Sequence, residues 1–540
     1  MIRLSDLALP LDHSPLDLEA AICARLCIAP ERILRRVMVR RGNDARKKSA
    51  IRLVYVFDLE IADEAEVLAR HADDSHIRPA PDTAYKFPGR APDAYAGERP
   101  VVIGAGPCGL LAALILAQMG LKPIIIERGK AVRERTKDTW GLWRRHELTP
   151  ESNVQFGEGG AGTFSDGKLY SRIKDPRHLS RKVLTEFVKA GAPDDILYEA
   201  HPHIGTFRLV TMVMSMRETI ENLGGEYRFQ TRVEDFDIKD GAMAGLHLTD
   251  LRDGSASYLA ARHVIMAVGH SARDTFAALH ARGVFMEAKP FAIGVRIEHP
   301  QSWIDTARYG PFAGNAILGP AAYALAHQAS NGRAVYSFCM CPGGRVVAAT
   351  SEEGRVVTNG MSQYSRAEFN ANSGLVVTVD PGKDYPADPL AGVAFQRQWE
   401  SAAFAAGGGD YCAPGQKLGD FLAGQPSSGD FGAVVPSYKP GVRLTDLATC
   451  LPAYVLDAIR EAIPVFGRQI PRYDDPDVVM TGVETRTSSP VRITRGRDMQ
   501  SLNTRGLYPG GEGAGYAGGI LSAAVDGIKL AEALAAQMLG

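Results

Sequence analysis

Apolar and polar positions alternate with strand periodicity at residues 2–9, 33–39 and 51–61, and follow helical spacing at residues 14–26. The pattern predicts a small α+β domain over residues 1–77. Pro79, Pro81, Pro88 and Pro92 then interrupt a stretch poor in apolar residues, so residues 78–98 read as an extended linker. From residue 99 the rhythm changes to strand, glycine turn, helix, strand, and it resumes after Gly224 and Gly225 with residues 226–236, a hairpin, and a strand at 263–268. A parallel sheet is the expected product. Residues 284–480 lose this rhythm. Their β-rich runs at 291–297 and 374–379 and the loop-rich stretch at 407–415 predict an inserted domain of mixed α+β structure. Strand and glycine-rich helix start return at 507–520, so the predicted α/β domain is discontinuous, built from residues 99–283 and 481–540.

The chemistry is densest where that α/β rhythm begins. Residues 101–109, Val-Val-Ile-Gly-Ala-Gly-Pro-Cys-Gly, run a buried strand into G-x-G-x-x-G and an apolar helix. Gly104 permits the tight turn, Gly106 lets the backbone approach a pyrophosphate, and Gly109 allows the helix to pack on the strand. With Pro107 and Cys108 they aim a positive helix end at phosphate. A second apolar strand, residues 124–126, ends in Glu127 and Arg128, with Glu127 placed to accept hydrogen bonds from an adenosine ribose and to disfavour a 2′-phosphate. The domain is therefore read as Rossmann-like.

Near the C-terminus, Gly511, Glu512, Gly513 and Ala514, then Gly518, Gly519 and Ile520, lead into a helix of small residues at 521–535. This resembles the second flavin motif of FAD oxidoreductases, with Glu512 in place of the usual Asp. The resemblance implies an acid on the ribityl or pyrophosphate part and a helix start at the pyrimidine edge of the isoalloxazine ring. The strand and glycine at 264–270 are similar to the segment that returns the chain to the FAD domain in the same superfamily, and Gly269 and Val233 are assigned to the cofactor wall. The loop at 157–168 contributes Gly160, Ala161, Gly162, Thr163, Ser165, Asp166 and Lys168, in the place where such enzymes wrap a loop along the flavin. FAD, held non-covalently, is the expected cofactor. No second strand–glycine–helix unit follows Gly109, so NAD(P)H is expected at most as a transient hydride donor over the flavin; otherwise electrons come from a substrate or a protein redox partner.

These segments, together with residues 153–169, 203–206, 338–344, 359–361 and 484–490, resemble the bacterial FAD-dependent dehydrogenase family, also labelled NAD(P)/FAD-dependent oxidoreductases. The family resemblance covers nearly the whole chain and implies fold and cofactor, with a small N-terminal domain. It carries no assigned substrate. The layout is more distantly similar to tRNA-uridine modification flavoproteins.

Hydride passes at the flavin ring, so few protein acids or bases are required, and the catalytic candidates are correspondingly few. Lys168 and Asp166 would sit near the flavin, with Lys168 able to stabilise negative charge. Cys339 and Cys341, two apart, would share a face on a strand and lie near flavin or a substrate thiol, against the alternative of small apolar side chains filling a strand. Arg296 and Arg486 are candidate clamps for an anionic substrate, against structural ion pairing. His203 is a candidate proton donor, against a hydrogen-bonded structural histidine. The flavin loop has no Cys-x4-Cys, so glutathione-reductase-like chemistry is not expected. Nor is a metal site, since no cysteine or histidine set has ligand spacing.

Composition adds bounds. With 540 residues the chain exceeds one ordinary core and should split into domains. A net charge of −1 gives no global field for nucleic acid or membrane, so any such partner would be recruited locally. The local exception is the stretch at 32–52, with Arg35, Arg36, Arg40, Arg41, Arg46, Lys47 and Lys48. It motivates an alternative reading of an RNA-associated flavoprotein. A third reading is a flavin-bearing scaffold without turnover. Seven cysteines without paired spacing, no signal-peptide pattern after Met1 and no apolar run of spanning length lead to the expectation of a cytoplasmic protein with no membrane partner.

Overall fold

The computed structural model describes every residue except Ala94 and Arg172. Residues 1–79 form an antiparallel sheet in the spatial order Ile33–Asp44, Arg52–Ile61, Ile2–Pro10, Ile77–Pro79, with helices Pro15–Leu26 and Glu64–Arg70 as connections. This βαββαβ order is ferredoxin-like. Strict alternation along Arg52–Ile61 turns Leu53, Tyr55, Phe57, Leu59 and Ile61 inward. Ser14 and Asp17 cap the first helix reciprocally, Asp17 N donating to Ser14 Oγ at 3.1 Å and Ser14 N to Asp17 Oδ2 at 2.7 Å. The unit is larger than predicted. Ile77–Pro79 pairs with Ile2–Leu4, which moves the domain boundary from 77 to 79.

The second body centres on a five-stranded parallel sheet in the order Leu507–Pro509, Val264–Met266, Val101–Ile103, Ile124–Ile126, Glu226–Arg228. Its central strands are wholly buried and apolar, as strands covered on both faces must be. Helices Pro107–Gln118, Thr206–Asn222 and Ile520–Leu539 share one core with one face, while the meander Thr231–Lys239, Ala242–Asp250, Ala256–Ala260 packs on the other. Where Pro107–Gln118 meets Ile520–Leu539 the backbones nearly touch: a Cβ on Gly527 would lie 2.2 Å from Cys108 O. The segment read at 226–236 is two strands in two sheets, broken at Gln230 with φ 53°.

The inserted body is a seven-stranded sheet in the order Ala326–Gln328, Ala334–Cys341, Asn370–Val379, Phe291–Pro300, Val479–Glu484, Ala413–Lys417, Val442–Leu444. Val479–Glu484 pairs with both Phe291–Pro300 and Ala413–Lys417, so the predicted boundary at 480 cuts through a strand, and the cap runs on to Glu484. The strand is buried along its whole length and reads the same whichever sheet receives it. The chain enters and leaves the cap along a two-stranded ribbon, Met286–Ala288 against Val491–Ile493. Among the described residues no helix is long and apolar enough to cross a membrane.

Candidate cofactor site

A cavity of about 360 Å³ opens where the carboxyl ends of the parallel strands face the cap sheet. Open α/β sheets place ligands at this edge. The glycine turn forms one wall. Gly104 has φ +97°, and a Cβ there would lie 2.4 Å from Ala267 O; a Cβ on Gly109 would lie 1.9 Å from Gly104 O. Gly106 instead faces the cavity, its nearest neighbour being Gly160 Cα at 3.6 Å. Helix Pro107–Gln118 begins at Gly106 with no side-chain cap, which leaves its first N–H groups to an anion.

Glu127 ties this wall together. Its Oε1 accepts from Gly129 N at 2.9 Å and Gly157 N at 3.0 Å, and Oε2 accepts from Ala105 N at 2.9 Å, leaving Oε2 a lone pair for a ribose hydroxyl. Arg128 lines the cavity but is held by Glu151 and Asp274 and lies over the Phe156 ring.

The loop at 157–168 is packed against the glycine turn: Gly159 N donates to Ala105 O at 2.8 Å, and a Cβ on Gly160 would lie 2.8 Å from Gly106 Cα. Beneath it the buried Arg135 guanidinium donates to the carbonyls of Asn153, Val154, Gly157 and Glu158. Ala161, Gly162, Ser165, Asp166 and Lys168 line the cavity, as do Pro107, Cys108 and Val233. Thr163 lies behind the wall, buried under Gly159.

Opposite, Gly269, Gly518 and Gly519 line the cavity with open space where side chains would stand, and Ile520 starts the terminal helix beside them. Gly511 N donates to Asp526 Oδ2 at 2.9 Å, which fixes the turn. Glu512 points at the cavity, and burial, offset in part by Lys289, pushes its carboxyl up to about 8. Gly513 and Ala514 sit behind it, Gly513 against the Gly269 backbone. A cleft lined by bare glycine backbone and by the inward-facing carboxyls of Glu127 and Glu512 fits a dinucleotide with ribityl hydroxyls.

Three family comparisons bear on the same residues. Residues 290–487 match the FAD-dependent protein C-terminal domain, residues 99–294 match pyridine nucleotide-disulphide oxidoreductases, and residues 1–61 match a domain of unknown function. An uncharacterized protein of Clostridium beijerinckii is 46% identical over 537 residues, 98% of each chain. The chain belongs to the FAD-dependent oxidoreductase family. Solved structures similar to this flavoprotein include E. coli quinol fumarate reductase (12% identity, TM-score 0.38, 82% of this chain and 71% of that one) and glycine oxidase from Bacillus cereus (12%, 0.36, 82% and 96%).

FAD is the cofactor, and the residues named above are those that would hold it. At the cap edge of the flavoprotein's cleft, Asp166 is buried in a fork with Arg366, at 3.2 and 2.6 Å, and 3.1 Å from Lys168 Nζ. Burial opposes the Asp166 charge, but Lys168 and Arg366 hold its carboxyl well below the usual range. Burial likewise opposes the Lys168 ammonium, yet Cys341, Asp166 and Cys339 hold it above the ordinary lysine value. Cys339 lines the cavity and Cys341 is buried behind it. The strand carrying them is not regular there: the register slips between Phe338 and Cys341, and Cys339 has φ +44°.

Two site expectations change. Arg296 is fully buried, donating to Glu484, Cys339 O, Asn372 and Asn359, and Arg486 donates to Glu400, Ser271 and Ser351. Neither offers a free fork to an anion; both are structural ion-pair residues. His203 meets Tyr364 O at 3.0 Å and stacks on that ring, away from the cavity lining. In the basic stretch, Arg41 pairs with Glu199, Arg46 with Asp44, and Arg36 lies over Phe57. The RNA reading gains no support from the comparisons.

Lining residues that sequence reasoning missed include His270, Asn359, Glu484 and Thr487. All four stand in segments that carried the family resemblance, which was the available signal. Burial, with Arg486 and Arg273 adding to it, pushes the His270 imidazole down to about 3, so it lines the site as a neutral ring.

Proposed function

We propose that the flavoprotein transfers hydride between FAD on the nucleotide side of the cleft and a small polar substrate on the cap side. The observation that carries this reading is the composition of the cleft: bare glycine backbone lines one side, and Lys168, Cys339, Asn359 and Thr487 line the other. When bound, FAD supplies a two-electron donor and acceptor. The chain's own residues supply position and charge. Arg296 and Arg486 are engaged within the protein, so Lys168 is the cation that meets negative charge developing on substrate or ring. Asp166, locked by Arg366, sets where that ammonium stands. A nicotinamide donor would be a passing occupant of the same cleft.

The test is anaerobic mixing of the holoprotein with NADH and with NADPH, following the oxidised-flavin band near ~450 nm. Bleaching by one nucleotide identifies the donor. Reduction by dithionite alone directs the search to substrate or protein donors. A flavin that resists all three reagents, with every substrate tried, would sink the reading.

A further inference from the structure

Two thiols meet at the junction of loop, cap sheet and cavity. The Cys341 thiol turns back on Cys339, donating to Cys339 O at 3.3 Å, and Lys168 Nζ stands 3.7 Å from Cys341 Sγ. The local backbone is shaped to make this contact. In a regular strand the chain would advance evenly between the two cysteines, but here the bulge and the left-handed Cys339 fold it back. The following glycines accommodate the result: a Cβ on Gly343 would lie 1.6 Å from Arg366 O, and one on Gly360 would lie 2.6 Å from Arg296 Nη1 and 3.0 Å from Cys341 Sγ. A core pair of small apolar side chains requires neither a left-handed residue nor an ammonium at one of its sulfurs.

We propose that Cys339 and Cys341 are a second two-electron redox centre beside the flavin, cycling between a dithiol and a Cys339–Cys341 disulfide. The inference rests on the flavin reading above. In the oxidising direction the Cys341 S–H bond breaks and its one proton leaves, the Cys339 thiolate and Cys341 sulfurs bond to each other, and the electron pair the two sulfurs give up passes to oxidised FAD. In the reverse direction reduced FAD returns the pair, the sulfur–sulfur bond breaks, Cys341 takes back one proton and Cys339 is left as the thiolate.

The electrostatics agree with the geometry. Hydrogen bonding from Cys341, then the Lys168 and Arg296 charges, draw the Cys339 thiol well below its ordinary value against the cost of burial, while the same contact raises Cys341. Cys339, the cavity-lining member, is therefore the thiolate, and Cys341 is the buried partner that closes on it.

The deciding experiment is an anaerobic dithionite titration of oxidised holoprotein, counted in electron equivalents per flavin, with peptide mass mapping of the segment that holds both cysteines. A redox pair gives about four equivalents per flavin rather than about two. It also gives an internally linked peptide, lighter by the hydrogens lost, that alkylates only after reduction. Cys341→Ser, with its flavin spectrum intact, is expected to fall to the lower count and to leave Cys339 open to alkylation in both states. If the wild-type protein takes the lower count and both thiols alkylate after oxidation, the pair is overturned and the flavin reading stands. If the chain shows no flavin band after incubation with FAD, both are overturned.

Discussion

Glu512 is a carboxyl whose charged form the cavity wall disfavours. Alone among the cofactor-side acids it faces the cavity and is pushed upward by burial, from its ordinary 4.5 to about 8. A carboxyl whose folded value exceeds its unfolded value binds more protons in the native state, so its contribution to stability is complete below 4.5 and falls as pH rises toward 8. Flavin-free protein is therefore expected to lose thermal stability across that window, and Glu512→Gln to flatten the profile; an identical slope in both would contradict the assignment. Lys168 is testable through potential. Lys168→Met removes the cation at the cap edge, disfavours negative charge on the reduced ring, and should lower the flavin midpoint by on the order of 30 mV by spectroelectrochemistry. A midpoint that stays put would show that Lys168 serves only to hold Asp166.

At the scale of elements, the loop at 157–168 owes its shape to a residue outside it. Arg135 sits on helix Val132–Arg145, and its donors reach the buried carbonyls of Asn153 and Val154 just before the loop and of Gly157 and Glu158 at its start; Gly157 O also accepts from Gly160 N. Each unpaired buried carbonyl costs about 1–3 kcal/mol, so Arg135→Met should weaken FAD affinity by about tenfold or more, read by flavin fluorescence titration. Unchanged affinity would mean that the loop is held by Glu127 and Ala105 alone.

The same residue marks where sequence reasoning stops. The glycine turn, Glu127, the loop and the second flavin motif were legible because each is a local pattern whose spacing reflects one tight turn or helix start. Arg135, Arg296 and Arg486 were not, because what decides between a clamp and a structural pair is a partner far along the chain: Asn153 carbonyl, Glu484 and Glu400. Glu64–Arg70 and Ile77–Pro79 escaped notice for a different reason, being too short to show a period. The strand Val479–Glu484 was divided between two bodies because uniform burial carries no register.

At the scale of the molecule, the cleft exists only while the cap stays docked on the nucleotide body, and buried Glu400 is one of the carboxylates that join the parts. Glu400, on cap helix Ala391–Ala406, accepts from Arg273 at 2.7 and 2.9 Å and from Arg486 at 2.9 and 3.0 Å. Arg273 opens a helix of the nucleotide body, and Arg486 lies just past the last cap strand. Burial opposes the Glu400 charge, but the two arginines hold it well below the usual carboxyl range. Its contribution is thus complete above the unfolded value of 4.5 and is lost as pH falls below it. Glu400→Gln leaves two buried cations facing a neutral amide, a change that costs about 3–5 kcal/mol when one partner of a buried pair is removed. Because the loss falls on the contact between bodies, the expected signature is release of flavin at a lower denaturant concentration than global unfolding, with flavin fluorescence rising before far-UV circular dichroism changes. The wild-type protein should show the same separation on acidification below 4.5, and the variant should show it already at neutral pH. If flavin release and global unfolding stay coincident in both, the cap is held by its apolar contacts and the ion cluster contributes little to closing the site.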